Sequence, residues 1–188
     1  MKNLVMPRRK FVVSASLMVL GSRLFGTPFS SQPYRDVQEL KEELTSEEKK
    51  WIEESSMAKK IPEYFGQGYS CAESLMMVSL RCLGKPEDLI WVASGFGGGL
   101  YHKDLCGFLT SGIMAIGLSA GMLNKEKKEA KEHCKHLVKE YWKWWTSYAP
   151  LHCCEIRKEG TSSKVCRRLG QLAAVKIEEL IGTDKAAA

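Results

Sequence analysis

The sequence predicts an all-α protein: a compact multi-helix bundle with one glycine-rich loop, preceded by an export-signal segment. Two patterns predict it. Apolar residues recur at helical spacing, as in Cys166, Leu169, Ala173, Ile177 and Leu180, and no stretch alternates at the two-residue period of a half-buried strand. A chain of 188 residues with 44% hydrophobic and 27% charged side chains is long enough to bury one core, so a single domain is expected.

In chain order, residues 1–31 read as a signal and linker and residues 32–188 as the helical domain. The first 31 residues carry Lys2, Arg8, Arg9, Lys10 and Arg23 and no acid, whereas the remainder carries 23 basic against 22 acidic side chains. The net charge of +6 therefore belongs to the leader, and nucleic acid is not an expected partner. Arg8-Arg9-Lys10-Phe11-Val12, ahead of the mild apolar run to Leu20, has the form of a twin-arginine export signal. A periplasmic or exported chain is expected, associated with the membrane at its N-terminus if the signal stays uncleaved. Ser14, Ser16, Gly21 and Arg23 interrupt the run too often for a membrane span.

Asp36–Leu44 reads as a short charged helix. Thr45 and Glu48 form a capping box for the next, which runs through Trp51, Ile52 and Met57, is interrupted near Pro62 and ends by Gly66 and Gly68. Ser70 and Glu73 form a second box, placing Cys71 at the first helical position with Leu75, Val78 and Cys82 on its face. Eleven residues of helix separate Cys71 from Cys82 by about 16 Å, so they cannot share one small site. Residues 87–93 predict a short helix that delivers the chain to the loop.

That loop, Gly95-Phe96-Gly97-Gly98-Gly99 through Cys106-Gly107 to Gly112, holds six glycines around one cysteine, so its backbone is free to take positive φ and to approach a neighbour closely. It lacks the Lys-Ser/Thr ending of a phosphate loop. Asp104 reads as the N-cap of a helix running to Ala120, with Cys106 in its first turn, where the positive helix end favours the thiolate. The competing reading is close helix packing with Cys106 as a small buried apolar residue.

Asn124 is the predicted cap of a long helix, charged at first and then aromatic at Tyr141, Trp142, Trp144, Trp145 and Tyr148. Its three tryptophans cannot all face one core, so part of this surface meets solvent, a partner subunit or a redox group; a homodimer would cover it. Cys134 reads as packing. After Pro150 come His152-Cys153-Cys154-Glu155-Ile156, then a last helix capped by Thr161 or Ser162.

Seven cysteines cannot all pair within one chain. Cys71, Cys106, one of Cys153 and Cys154, and Cys166 each lie near a helix start or a turn beside one. Together they could form a four-sulfur site for iron–sulfur or zinc, or two redox disulfides. Their intervals of 35, 47 or 48, and 13 or 12 residues contain no Cys-x-x-Cys pair. His133 and His136 fall on a charged helix face and no hydrolase motif accompanies them, so a hydrolase is not expected. His102 and His152 flank the cysteine elements as candidate supporting donors.

The ordered elements Ser70-Cys71-Ala72-Glu73, the glycine loop with Cys106-Gly107-Phe108-Leu109-Thr110-Ser111-Gly112, Cys153-Cys154-Glu155-Ile156 and Cys166 resemble the C_GCAxxG_C_C family of redox-active proteins. The resemblance covers about residues 45–182. That family shares its cysteine framework with the iron–sulfur domain of split-Soret cytochromes, which implies a cluster held by Cys71, Cys106, Cys153 and Cys166, of the 2Fe–2S type. The family's Cys-x-x-Leu spacing favours Cys153, with Ile156 in the Leu place, over Cys154. Phe108 stands where the family commonly has alanine, and no Cys-x-x-Cys-His for c-type haem is present. The expected function is electron transfer with a redox partner. The alternatives are metal-free thiol–disulfide exchange, or a non-catalytic binding protein stapled by zinc or disulfides.

Overall fold

The computed structural model describes residues 40, 42–123, 126–158 and 163–185, with side chains to residue 182. The predicted signal segment lies outside the described residues. So do the predicted caps Asn124, Thr161 and Ser162 and most of Asp36–Leu44, of which Glu42–Leu44 are not helical. Thr45 takes the extended backbone of an N-cap, φ −69° and ψ 165°, so the helix begins there and the residues just before it cannot continue one.

Helix α1 spans Ser46–Glu54 behind the Thr45–Glu48 capping box. It does not run on to Met57. A 3₁₀ turn, Ala58–Lys60, intervenes, and α2 covers Ile61–Gly66. Pro62 opens α2 rather than interrupting a helix, because an N–H missing from the first turn is one that has no intrahelical acceptor. Helix α3, Cys71–Cys82, starts at the second capping box, each such cap contributing about 1 kcal/mol. A 3₁₀ turn at Glu87–Ile90 runs into the short α4, Trp91–Ser94.

Helix α5 spans Gly107–Ala120, α6 Lys127–Tyr148, α7 Cys153–Ile156 and α8 Ser163–Lys185. Among the described residues there is no strand, only a single antiparallel bridge between Leu105 and His152, and no helix is long and apolar enough to cross a membrane. The all-α reading holds. Helix α5 is the centre, packed against α3, α6 and α8, and its Leu109, Ala115 and Ile116 are buried.

Two glycines set how closely α5 meets its neighbours. A Cβ on Gly112 would lie 2.5–2.7 Å from the ring of Tyr141, and one on Gly170 of α8 would overlap the ring of Phe108. Phe108, the residue that departs from the family pattern, is thus accommodated by the absence of a side chain on α8. Two residues before Gly170, Arg168 donates from Nε and Nη2 to the carboxylate of Glu48, and both side chains are buried. This pairing fixes the first helix to the last, since either charge alone would be costly to bury.

Gly170→Ala is expected to destabilise the protein by about 1–3 kcal/mol through overpacking against Phe108. Combined with Phe108→Ala, it should cost clearly less than the sum of the two single changes, because the pair shares one space. Urea denaturation of the four proteins of this cycle measures it.

Candidate functional site

Three helix starts and one loop converge on the cysteines. Ser70 accepts from the Glu73 N–H, and Glu73 Oε2 accepts from the Ser70 N–H at 2.8 Å, which fixes Cys71 at the first position of α3. The other oxygen of Glu73 accepts from Ser94 Oγ at 2.6 Å, tying the end of α4 to the start of α3. Burial raises the Glu73 carboxyl, but the bonds from Ser94 and Ser70 outweigh it and hold it below its ordinary range.

The glycine loop then turns left-handed. Gly98 (φ 58°) and Gly99 (φ 68°) are followed by Leu100 and Tyr101, both at φ 57°, and by Lys103 at φ 58°. The Asp104 N–H closes this turn on the Gly99 carbonyl at 2.9 Å. A left-handed residue other than glycine costs roughly 1–2 kcal/mol, so three of them store strain that the surroundings must hold. What holds it is a short backbone pairing: the Cys106 N–H donates to Leu151 O at 2.8 Å and the Cys153 N–H to Asp104 O at 2.6 Å. His152 Nδ1 lies 2.7 Å from Asp104 Oδ1, a contact that holds the two cysteine-bearing segments side by side.

Asp104 is therefore not the N-cap of α5, as its position in the sequence predicts. Cys106 is, because the residue before it is committed to the bridge with His152. The backbone N–H groups of Phe108 and Leu109 face its sulfur. The close approaches are specific. A Cβ on Gly107 would lie 2.5 Å from Cys71 Sγ and 2.9 Å from Phe96 O, and one on Gly99 would lie 2.6 Å from Cys153 Cβ. Glycine is required at both positions.

Cys71 Sγ thus lies against Gly107, the residue after Cys106, and Cys153 against Gly99, and the charge of Cys71 reaches Cys106, Cys153 and Cys166. All seven cysteines are free thiols; Cys106 and Cys153 are buried, Cys71 and Cys166 half-buried, and Cys154 is exposed. Cys82 sits at the end of α3, half-buried in a surface groove, and Cys134 packs on the core. Among the described residues, no three Cys, His, Asp or Glu side chains stand in the arrangement that holds a single metal ion. The donor set and its cradle nevertheless fit a thiolate-bound group: four thiols, two glycines cleared for sulfur-bearing side chains, and N–H groups directed at one sulfur.

Cys106, Cys153 and Cys166 are not activated as thiols. Burial, with Cys71 adding to it, pushes Cys106 well above the ordinary thiol range and overcomes the helix N–H groups. This reverses the expectation that the helix start favours its thiolate. Burial likewise pushes Cys166 up to about 11, against the pull of Arg157, and raises Cys153 against Arg157 and Lys103. The Asp104–His152 lock, the positive φ at Leu100, Tyr101 and Lys103, and the placement of Lys103 and Arg157 beside the thiols carry no motif in the sequence.

The chain is a member of the family described as "Putative redox-active protein (C_GCAxxG_C_C)", which matches residues 69–180. No curated protein and no solved structure matches it.

Because the folded thiols titrate above the unfolded ones, the metal-free protein should be most secure below pH 9, the ordinary value for a thiol, and lose stability as pH rises from there towards 11. The unfolded chain releases its Cys166 proton first and is thereby favoured, by on the order of 2 kcal/mol. Thermal melts across this range should show the fall, and Cys166→Ala should make it shallower.

Proposed function

We propose that the chain is an exported electron carrier that holds an iron–sulfur cluster, of the 2Fe–2S type, through Cys71, Cys106, Cys153 and Cys166. The observation that carries this reading is the packing of cysteines on glycine backbone, Cys71 Sγ against Gly107 beside Cys106 and Cys153 against Gly99, while the tandem neighbour Cys154 is exposed. A two-iron cluster divides its four thiolates between two metals and so accommodates a wider spread of sulfurs than one tetrahedral zinc ion does. When bound, the cluster would supply one-electron redox chemistry. The chain's part is to exclude water from Cys106 and Cys153, to direct the Phe108 and Leu109 N–H groups at a ligand sulfur, and to set Arg157 and Lys103 beside the net negative charge of four thiolates. The N–H groups and the two cations would stabilise the more reduced, more negative state, whereas the exclusion of water would disfavour it.

Metal-free thiol–disulfide exchange is the second reading, favoured by the free state of all four thiols. The raised Cys106 and Cys166 weigh against it, because the attacking species is the thiolate. Arg8-Arg9-Lys10-Phe11-Val12 supports export in the folded, loaded state, with a second redox protein as partner.

Anaerobically purified protein is expected to be coloured and to contain iron and acid-labile sulfide in equal amounts, about two of each per chain. Colourless protein containing zinc, or no metal, would overturn the cluster. Serine at position 71, 106, 153 or 166 should bleach it, whereas Cys154→Ser, Cys82→Ser and Cys134→Ser should not. Gly107→Ala, whose Cβ would displace the Cys71 sulfur, should lower the iron content while the far-ultraviolet circular dichroism stays helical.

A further inference from the structure

The aromatic half of α6 is left unexplained by the cysteine site, yet its rings begin there. Tyr141 is fully buried, its hydroxyl donates to Phe108 O at 3.0 Å in the first turn after Cys106, and it senses the charge of the Cys106 sulfur. Gly112 has no side chain where that ring lies, so Tyr141 rests directly on α5. Trp144 stacks on Tyr141 with ring centroids 5.6 Å apart and planes 14° from parallel, and Tyr148 stacks on Trp144 at 5.0 Å and 29°. The three residues fall at i, i+3 and i+7 and share one helix face. Trp145 flanks them, 6.2 Å from Trp144 and 6.3 Å from Tyr141. Trp144 and Tyr148 then line a groove of about 280 Å³ that opens to solvent beside Trp51.

Packing alone would need one of these aromatic residues to fill the space against α5. It does not require near-parallel overlap repeated twice, from a thiol at one end to solvent at the other. Stacked π systems provide low-lying electronic states that a saturated side chain of equal volume lacks. We propose that the column Tyr141–Trp144–Tyr148 is the route by which single electrons pass between the thiol site and the surface groove beside Trp51. The inference rests on the redox reading of the site. In each event a one-electron acceptor at the groove, of the class of a metal complex or an inorganic radical, gains one electron and the site loses one. The rings begin and end unchanged. Where the site is thiols alone, the oxidised thiol also releases its proton to solvent. A one-electron donor at the groove runs the same path in reverse.

The test uses the metal-free full chain with the exposed Trp91 and Trp142 replaced by phenylalanine, so that the accessible tryptophans are those of the groove. Azide radicals generated by pulse radiolysis oxidise the groove rings. The expected result is a first-order decay of the ring radical, independent of protein concentration, with oxidation of the Cys106 thiol found by alkylation mapping. Cys106 is only 5% exposed, which keeps direct attack on it small. Trp144→Leu should cut Cys106 oxidation per radical by an order of magnitude, and Trp144→Phe, which keeps a ring in the stack, should restore most of it. Tyr148→Leu, at the solvent end, should give the same loss by a second change. Equal oxidation of Cys106 in both leucine variants and the parent would overturn the proposal. A chain that binds no iron would remove the cluster but not this result, which is read on thiols.

Discussion

The structure depends on the contact between backbone and sulfur at Gly107. The Cys71 sulfur occupies the place where any other residue at 107 would have its first side-chain carbon, with Phe96 O and the Ala72 N–H closing the same space. This one approach sets where α5 can begin relative to α3. Because Cys106 precedes Gly107, it also brings the second thiol to the first. The same condition recurs at Gly99, where the backbone meets the Cys153 side chain. The glycines of the loop therefore do two different things. Gly98 and Gly99 supply left-handed backbone, whereas Gly107, in ordinary helical backbone, supplies only the absence of a carbon.

From that point the rest of the bundle can be built outward. Helix α5 exchanges rings for glycines with its neighbours: Tyr141 of α6 lies over Gly112, while Phe108 of α5 reaches into the gap at Gly170 of α8. Complementarity of this kind holds a helix in register as well as in place, since a shift of one residue along α5 would set a side chain against the Tyr141 ring. The strained turn at Leu100–Lys103 is held by the short pairing of residues 104–106 with 151–153 and by the Asp104–His152 contact. The bundle is thus ordinary away from the site and strained beside it, the usual distribution where a site needs its groups fixed before anything binds.

Much of this was legible in the chain. The capping boxes at Thr45 and Ser70 each place an acceptor and a donor three residues apart, a purely local arrangement, and both helices start where it predicts. The helical repeat from Cys166 to Leu180 marks the buried face of α8, and the mismatch of three tryptophans with one core is resolved by exposing Trp142. What local reading missed was decided by distant partners. Asp104 has the composition of an N-cap, but a residue 48 positions away, His152, takes its side chain. Cys106 sits where a helix dipole would acidify it, yet its burial outweighs the few N–H groups of one turn. Gly170 reads as one more small residue in a helix until the Phe108 ring is placed against it. The meeting of Cys71, Cys106, Cys153 and Cys166 across such unequal intervals follows from the family framework, not from spacing.

The electrostatics of that meeting limit what the site can be. Thiols gathered in a poorly solvated place are stable while neutral, and a proton lost from one makes the next harder to remove, as the raising of Cys106, Cys153 and Cys166 by Cys71 records. Arg157 and Lys103 oppose this but do not reverse it for Cys153, and Arg157 alone leaves Cys166 high. A nucleophilic thiol site is built the other way, with enough local positive charge to bring one sulfur below its usual value. Here Cys106, Cys153 and Cys166 all lack that charge, a deficit that the proposed multivalent cationic group would meet, as metal binding with proton release does. Pairwise oxidation would also discharge the sulfurs, but it would leave the Phe108 and Leu109 N–H groups facing a sulfur without charge. The cradle of N–H groups and cleared glycine positions is better matched to sulfurs that stay anionic, as the proposed cluster would keep them.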